Sequence, residues 1–184
     1  MVYSEDFIRQ LGELLRQKEA QYRTQIYLIS DEPYRKLIYD GLKYPSPLLH
    51  YPQSIIVTSH SKDLALPGER IGYIAVHPDC SPQAELVDGF IYCNRILGYV
   101  NAPALMQYVV RHLQPVTVSV AEYQKKRDFL YGHLTRLGYS VIKPQGAFYM
   151  FPKSPLADDV AFVQEFLQWK VLVVPGGGFG TPGY

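Results

Sequence analysis

The chain has 184 residues, of which 47% are hydrophobic, so it contains enough apolar side chains to build the core of a globular domain. Its 18 basic and 17 acidic residues nearly balance, which gives no electrostatic reason to expect nucleic acid or an anionic membrane as a partner. Two cysteines do not make a disulfide framework, and neither a signal peptide nor a long apolar stretch is present. We therefore expect a cytoplasmic protein.

Apolar residues recur at helical spacing after Ser4, and Glu5 and Asp6 place negative charge where a helix N-terminus favours it. This pattern predicts a helix over residues 5–21. Short apolar runs then predict three strands, at residues 26–30, 54–58 and 71–76. Two further helical stretches are expected at residues 83–99 and 104–113.

Lys62 follows the second predicted strand, whose β-branched run is typical of a strand buried on both faces. In open α/β sheets, ligands bind beyond the carboxyl ends of the strands. A lysine there can attack a carbonyl when its amine is neutral, and Ser59, Ser61 and Arg70 are suited to hold a phosphate. The alternative is a solvated lysine on a polar loop, and the short Ser-x-Ser-Lys pattern does not exclude it.

Asp31 and Tyr34 follow the first predicted strand. A carboxylate at a strand end can pair with a protonated ring nitrogen, and a phenol can hydrogen-bond a phenolate oxygen; a pyridoxal ring needs both. The alternative is a strand that ends in a turn at Pro33. The two interpretations differ only if the strands before Asp31 and Lys62 are neighbours.

These motifs resemble the class I/II aminotransferases, fold-type I pyridoxal-phosphate enzymes related to aspartate aminotransferase. Ser-Asp-Glu-Pro-Tyr at residues 30–34 is similar to the family's ring-binding motif, and the segment at residues 59–73 is similar to its cofactor-lysine motif. Weaker resemblances follow at residues 101–103, 145–149 and 174–180. The order of the motifs is highly specific, and the resemblance covers nearly the whole chain.

The resemblance implies a role for each motif residue. Lys62 would form a Schiff base with pyridoxal 5'-phosphate and later act as general acid and base. Asp31 would pair with the pyridine nitrogen, Tyr34 would bond the ring's 3-oxygen, and Ser59 and Arg70 would hold the phosphate with help from Ser61. The substrates would be an amino acid and a 2-oxo acid, and the full-length enzyme would be a homodimer.

The resemblance also implies the architecture: an α/β fold with part of the fold-type I large domain, whose mixed, mostly parallel sheet is flanked by helices, and an incomplete α+β small domain. The large-domain part would cover residues 1–115 and the small domain residues 116–184. Within the latter, Ser119 and Glu122 form a capping-box pattern that predicts a helix to about Gly138. A second helix is expected at residues 160–169 and strands at residues 141–142, 147–151 and 171–174.

Two landmarks of the family have no counterpart here: the Asn-Pro-x-Gly motif expected before Val2, and the arginine that clamps the substrate carboxylate. We therefore expect a fragment of a longer enzyme with negligible activity alone. Two alternatives remain open. The chain could be a non-catalytic folded fragment, or the parent enzyme could be a carbon-sulfur lyase of the same fold.

The glycine run at residues 176–180 lacks both the GxGxxG pattern and a Walker lysine, which favours a hinge or pocket-edge loop over a phosphate loop. The five histidines have no metal-ligand spacing, so no metal site is expected. His60 lies close to Lys62 in sequence but is not assigned to the cofactor.

Overall fold

The computed structural model describes residues 2–184, which divide into two compact units. The first unit ends at Val120 and the second is Ala121–Tyr184. The helices are α1 (Glu5–Tyr22), α2 (His60–Asp63), α3 (Gln83–Ile96), α4 (Ala104–His112), α5 (Val120–Arg136) and α6 (Asp159–Gln168). The strands are β1 (Leu28–Asp31), β2 (Ser54–Ser59) and β3 (Gly72–Val76), and short 3-10 helices lie at Pro47–Leu49, Pro67–Glu69 and Gly176–Phe179.

Helix α1 begins as its sequence predicts. The Ser4 side chain accepts a hydrogen bond from the Phe7 amide at 3.2 Å, which satisfies one of the free donors of the first turn. Gly12 is buried on this helix. A Cβ atom there would lie 2.7 Å from the His50 carbonyl oxygen, so the absence of a side chain allows this close approach. The helix therefore packs closely against the segment that leads into β2.

The three strands form one mixed sheet in the order β1-β2-β3. Strand β1 pairs with β2 in parallel, with Asp31 opposite Val57, whereas β3 pairs with β2 antiparallel, with Gly72 opposite Ser59. The expected mixed α/β sheet is confirmed. Among the described residues, one strand pair is parallel and one is antiparallel, so this part of the sheet is not mostly parallel.

The core of the first unit surrounds the central strand β2. Ser54, Ile55 and Ile56 are all buried, and since consecutive strand residues point to opposite faces, both faces of β2 are covered there. Leu37 and Tyr39 from the segment after β1 are also fully enclosed. The prediction of a strand buried on both faces is confirmed at this end of β2.

Helices α3 and α4 are much less well covered. No residue of α3 is buried, and Val110 is the one buried residue of α4. The expected helices over residues 83–99 and 104–113 are both present, with slightly earlier ends. None of the helices within residues 2–184 is long and apolar enough to cross a membrane.

The second unit holds α6 and all of α5 after Val120, and both helices agree with the predicted ones to within two residues at each end. The predicted strands at residues 147–151 and 171–174 are wrong, since the described chain is irregular there. The strand predicted at 141–142 is reduced to a single antiparallel bridge between Val141 and Pro152. β-branched residues favour strands only when a neighbouring strand accepts their hydrogen bonds, and Pro152 has no amide to extend the ladder.

Candidate active site

The predicted site residues lie at or next to one end of each of the three strands, and these three strand ends lie side by side in the sheet. Asp31 ends β1 opposite Val57, and Ser59 ends β2 two residues farther along. Because β3 runs the other way, it begins at this same edge, with Gly72 opposite Ser59. The strands before Asp31 and Lys62 are therefore parallel neighbours, which is the arrangement that the predicted cofactor site requires.

Lys62 lies on α2, the four-residue helix that directly follows β2. Its Nζ atom is 6.0 Å from the centroid of the Tyr34 ring, which is within the range of a cation–π contact. Tyr34 belongs to the turn after β1, where the Leu37 amide donates to the Tyr34 carbonyl at 2.8 Å. The structure thus brings together the two residues that the sequence placed on different motifs.

Arg70 lies just before β3 and is exposed. Its backbone is left-handed, with φ of 51°, a conformation that costs a non-glycine residue about 1 kcal/mol or more. One guanidinium nitrogen, Nη1, donates to the Pro67 carbonyl at 2.8 Å. Arg70 precedes Gly72, the residue of β3 that pairs with Ser59, so its backbone lies at the same end of the sheet as Ser59.

The other predicted site residues are Asp31, Ser59 and Ser61, and their side-chain oxygens are not occupied by hydrogen bonds within the described part of the chain. Asp31 is exposed, and Ser59 and Ser61 are half-buried. Their oxygens are available to a ligand at this edge.

A buried cluster lies directly beside Lys62 in sequence. The Asp63 carboxylate is 3.2 Å from His60 Nδ1 and 3.3 Å from Lys36 Nζ. Its backbone carbonyl accepts from the Val118 amide at 2.8 Å and from the Thr117 hydroxyl at 3.1 Å. These four contacts fix the helical turn that carries Lys62, and they occupy His60 within the protein.

Glu32 is almost fully buried behind Asp31. Its Oε1 atom accepts a hydrogen bond from the Tyr44 hydroxyl, while its Oε2 atom has no partner within the described part of the chain. Burial, and next the hydrogen bond to Glu32, raise the pKa of the Tyr44 phenol well above its usual value. Asp31, one residue earlier at the end of β1, is exposed, so the two neighbouring carboxylates lie in different environments.

The glycine run of the second unit is folded into the 3-10 helix Gly176–Phe179. The Gly177 amide donates to the buried Asp159 carboxylate at 2.9 Å, and the Gly176 amide donates to the Tyr184 carbonyl at 2.7 Å. A Cβ atom at Gly176 would lie 2.4 Å from the Thr181 carbonyl oxygen. These amides bind protein oxygens, which favours the interpretation as a structural loop over a phosphate loop.

A family model described as "Aminotransferase class I and II" matches residues 2–184. The chain belongs to this family. Among curated relatives of known sequence, a probable aspartate aminotransferase from Methanocaldococcus jannaschii is 33% identical over 99% of this chain and 48% of its own length. This aminotransferase-family chain thus spans about half the length of that relative.

Solved structures agree with the assignment. An amino transferase from Eubacterium rectale is 43% identical and superimposes with a TM-score of 0.93, covering 100% of this chain and 46% of its own. The aspartate aminotransferase of Thermotoga maritima is 28% identical with a TM-score of 0.81. The fold of this family member is therefore the fold-type I architecture that the resemblance implied.

Sequence reasoning missed the polar groups buried behind the candidate site. The His60-x-x-Asp63 spacing brings two side chains to one face of a helix turn, and this signal was available. The contact of Lys36 with Asp63 links residues that are far apart in the chain, so it could not be read from local spacing. The bond between Arg35 and the Tyr73 hydroxyl, at 2.7 Å, is a similar case.

Proposed function

We propose that this chain is the cofactor-binding portion of a pyridoxal-phosphate-dependent aminotransferase, with Lys62 as the residue that holds the cofactor covalently. The observation that carries the proposal is the parallel pairing of β1 with β2, because it brings Asp31, Tyr34 and Lys62 to one sheet edge. Membership of a family whose members use pyridoxal 5'-phosphate supports the choice of cofactor.

The side chains present fit the parts of this cofactor. Asp31 would keep a proton on the ring nitrogen, and the Tyr34 hydroxyl would donate to the ring's 3-oxygen. The hydroxyls of Ser59 and Ser61 and the Arg70 guanidinium would hold the phosphate through charge-assisted hydrogen bonds. When bound, the protonated ring withdraws electrons from the substrate's α-carbon, and the Lys62 amine would then receive and return the proton lost from that carbon.

The proposed reaction is transfer of an amino group from an amino acid to a 2-oxo acid. The similarity to the Methanocaldococcus jannaschii relative, a probable aspartate aminotransferase, supports this over a lyase reaction. We also propose that the parent enzyme is a cytoplasmic homodimer without nucleic acid or membrane partners. Near-neutral net charge and two unpaired cysteines support that environment.

We propose further that residues 1–115 belong to the cofactor-binding large domain and residues 116–184 to the small domain. The division of contacts after Val120, close to this boundary, supports the assignment. All the residues assigned to the cofactor belong to the large-domain part. The chain alone is therefore expected to bind the cofactor with negligible transamination.

The test is to mix the purified chain with pyridoxal phosphate, record the absorbance change, trap the adduct with borohydride and locate it by peptide mass spectrometry. We expect the label on Lys62 and its loss in Lys62→Ala. Lys43→Ala, which removes an exposed lysine outside the site, should keep the full adduct. A wild-type chain with no absorbance change, or with label spread over many lysines, would refute the proposal.

A further inference from the structure

The turn after β1 and helix α2 are joined by an ion pair. The Lys36 Nζ atom, in the turn, lies 3.3 Å from Asp63 Oδ2, in the helix. Tyr34 lies two residues before Lys36, and Lys62 directly precedes Asp63. The ion pair therefore joins the two segments that bring Lys62 Nζ to 6.0 Å from the centroid of the Tyr34 ring.

This ion pair is largely shielded from water. The side chain of Asp63 is 8% exposed and that of Lys36 is 21% exposed. Salt screens such a pair much less than a pair on the open surface, and removing one partner leaves the other as a buried, poorly compensated charge. The turn and the helix are therefore held at one separation by a contact that is costly to break.

Strand pairing does not extend to this part of the site. The ladder between β1 and β2 ends where Asp31 lies opposite Val57. Within residues 2–184, the other side chain that contacts the Asp63 carboxylate is His60, which belongs to α2 itself and cannot link the helix to the turn. Lys36 makes that link.

The Lys36 ammonium is fully used by the protein. Besides Asp63, it donates to the Gln114 carbonyl at 2.7 Å and to the Val116 carbonyl at 3.1 Å. An ammonium group has three protons, so these three oxygens satisfy all of its donors. The Lys36 side chain is thus held in one arrangement by three separate groups.

We propose that Lys36 is a positioning residue for the cofactor site, because by binding Asp63 it sets the separation of Lys62 and Tyr34. This inference rests on the proposed function, in which Lys62 holds the cofactor and Tyr34 donates to its ring. A bound cofactor must reach both side chains at once, so a change in their separation weakens its binding. A misplacement of about 1 Å can cost a factor of about one hundred where two groups must act together.

The test is a double-mutant cycle on cofactor affinity. Absorbance titration with pyridoxal phosphate gives the apparent dissociation constant of wild type, Lys36→Met, Tyr34→Phe and the variant with both changes, and borohydride trapping confirms the label on Lys62. Lys36→Met should raise the dissociation constant about tenfold. Once Tyr34 has lost its hydroxyl, the same change should cost about threefold or less. A change that only loosened the fold would cost the same factor in both backgrounds.

Two further variants control for charge and folding. Lys125→Met removes another ion-paired lysine, 2.8 Å from Glu122 in the second unit, and should leave the dissociation constant unchanged. The double variant Lys36→Met/Asp63→Asn removes both charges, so no unpaired charge stays buried. It should unfold cooperatively in urea, as the wild type does, and still bind the cofactor about as weakly as Lys36→Met.

Three results would overturn the inference and leave the proposed function intact. One is equal affinity of wild type and Lys36→Met, and another is an equal loss in the two Tyr34 backgrounds. The third is a Lys36→Met/Asp63→Asn variant that binds like the wild type, since the loss would then come from the unpaired Asp63 charge. A wild type that forms no adduct at Lys62 would instead refute the proposed function, and this inference with it.

Discussion

Two neighbouring residues of the candidate site, Lys62 and Asp63, differ in burial and in their contacts. Lys62 is half-buried beside Tyr34, whereas Asp63 is buried and held by His60, Lys36 and two groups of the segment before α5. A lysine side chain loses conformational entropy when its rotatable bonds are fixed in one rotamer. Because Asp63 already fixes the backbone turn, only the side chain of Lys62 has to be ordered when a ligand binds.

The pair formed by Glu32 and Tyr44 predicts a loss of stability in alkali. A folded-state pKa above the unfolded one means that the native state holds the phenol proton more tightly. The contribution of this pair to the free energy of unfolding should therefore be constant up to about pH 9 and fall as the pH rises above about 10, where an unfolded tyrosine ionises. Urea unfolding between pH 7 and pH 11 measures this profile.

Tyr44→Phe separates this pair from other alkaline effects. The variant should be about 1–3 kcal/mol less stable at pH 7, because the buried Glu32 carboxylate loses its donor. It should also lose less stability between pH 9 and pH 11. Burial raises the pKa of Tyr51 as well, so some alkaline loss should remain. A variant whose profile runs parallel to the wild type would show that Tyr44 is not the titrating group.

At the scale of elements, the pairing of β2 with β3 depends on Gly72. A Cβ atom there would lie 2.3 Å from the Thr58 carbonyl oxygen and 2.9 Å from the Ser59 Cα atom. Gly72→Ala should therefore destabilise the chain by about 1–3 kcal/mol, since backbone atoms must move. It should also displace Ser59, and so reduce the yield of the Lys62 adduct.

Gly89→Ala provides the matched control. Gly89 lies within α3, and a Cβ atom there would meet no atom within 4 Å. The same substitution should stabilise the chain there by up to about 1 kcal/mol, because alanine favours the helix over the unfolded chain. Thermal unfolding of both variants checks the pair. Equal losses at the two positions would mean that the close approach at Gly72 does not limit the sheet.

Elements with strong local signals could be predicted from the sequence. Periodic apolar residues with Glu5 and Asp6 in the first turn predicted α1, and the run Ile55-Ile56-Val57 predicted β2. The pairing direction of β3 could not be predicted, since an apolar run does not specify a neighbour. The strands expected at residues 147–151 and 171–174 failed for the same reason, because a strand depends on a partner that its own sequence does not supply.

Residues of the candidate site that stand in local motifs could likewise be predicted, whereas buried ones could not. Lys62, Asp31 and Tyr34 stand in short motifs at strand ends, so the sequence singled them out, and the structure brings their strands together. Glu32 and Asp63 were missed because their importance comes from burial. Burial follows from the packing of distant segments, and neither motif spacing nor composition reports it.

At the scale of the whole molecule, the contacts divide into two units that should respond separately to damage. In the second unit, Arg127 is buried, with Nη1 donating to the Pro144 carbonyl at 2.8 Å and Nη2 lying 2.8 Å from Asp128 Oδ1. Arg127→Gln should destabilise this unit by about 1–3 kcal/mol, because the Pro144 carbonyl loses its charged donor, whereas the half-exposed Asp128 carboxylate keeps Lys143 Nζ at 3.2 Å.

Hydrogen exchange measured by mass spectrometry can localise that effect. Amides of α5 and α6 should exchange faster in Arg127→Gln, while those of β1, β2 and β3 should keep the wild-type rate. Lys126→Gln, which changes the exposed neighbour of Arg127, should leave both sets unchanged. Faster exchange throughout the chain would mean that the two units unfold as one.

All six residues proposed to hold the cofactor fall within the single stretch from Asp31 to Arg70, because β1 and β2 are neighbours both in sequence and in the sheet. Such a stretch is inherited as one piece. Gene fission or recombination on either side of it cannot separate the covalent anchor from the groups that would hold the ring and the phosphate. A short polypeptide that retains residues 31–70 in their fold would therefore carry the complete set of groups proposed to hold the cofactor.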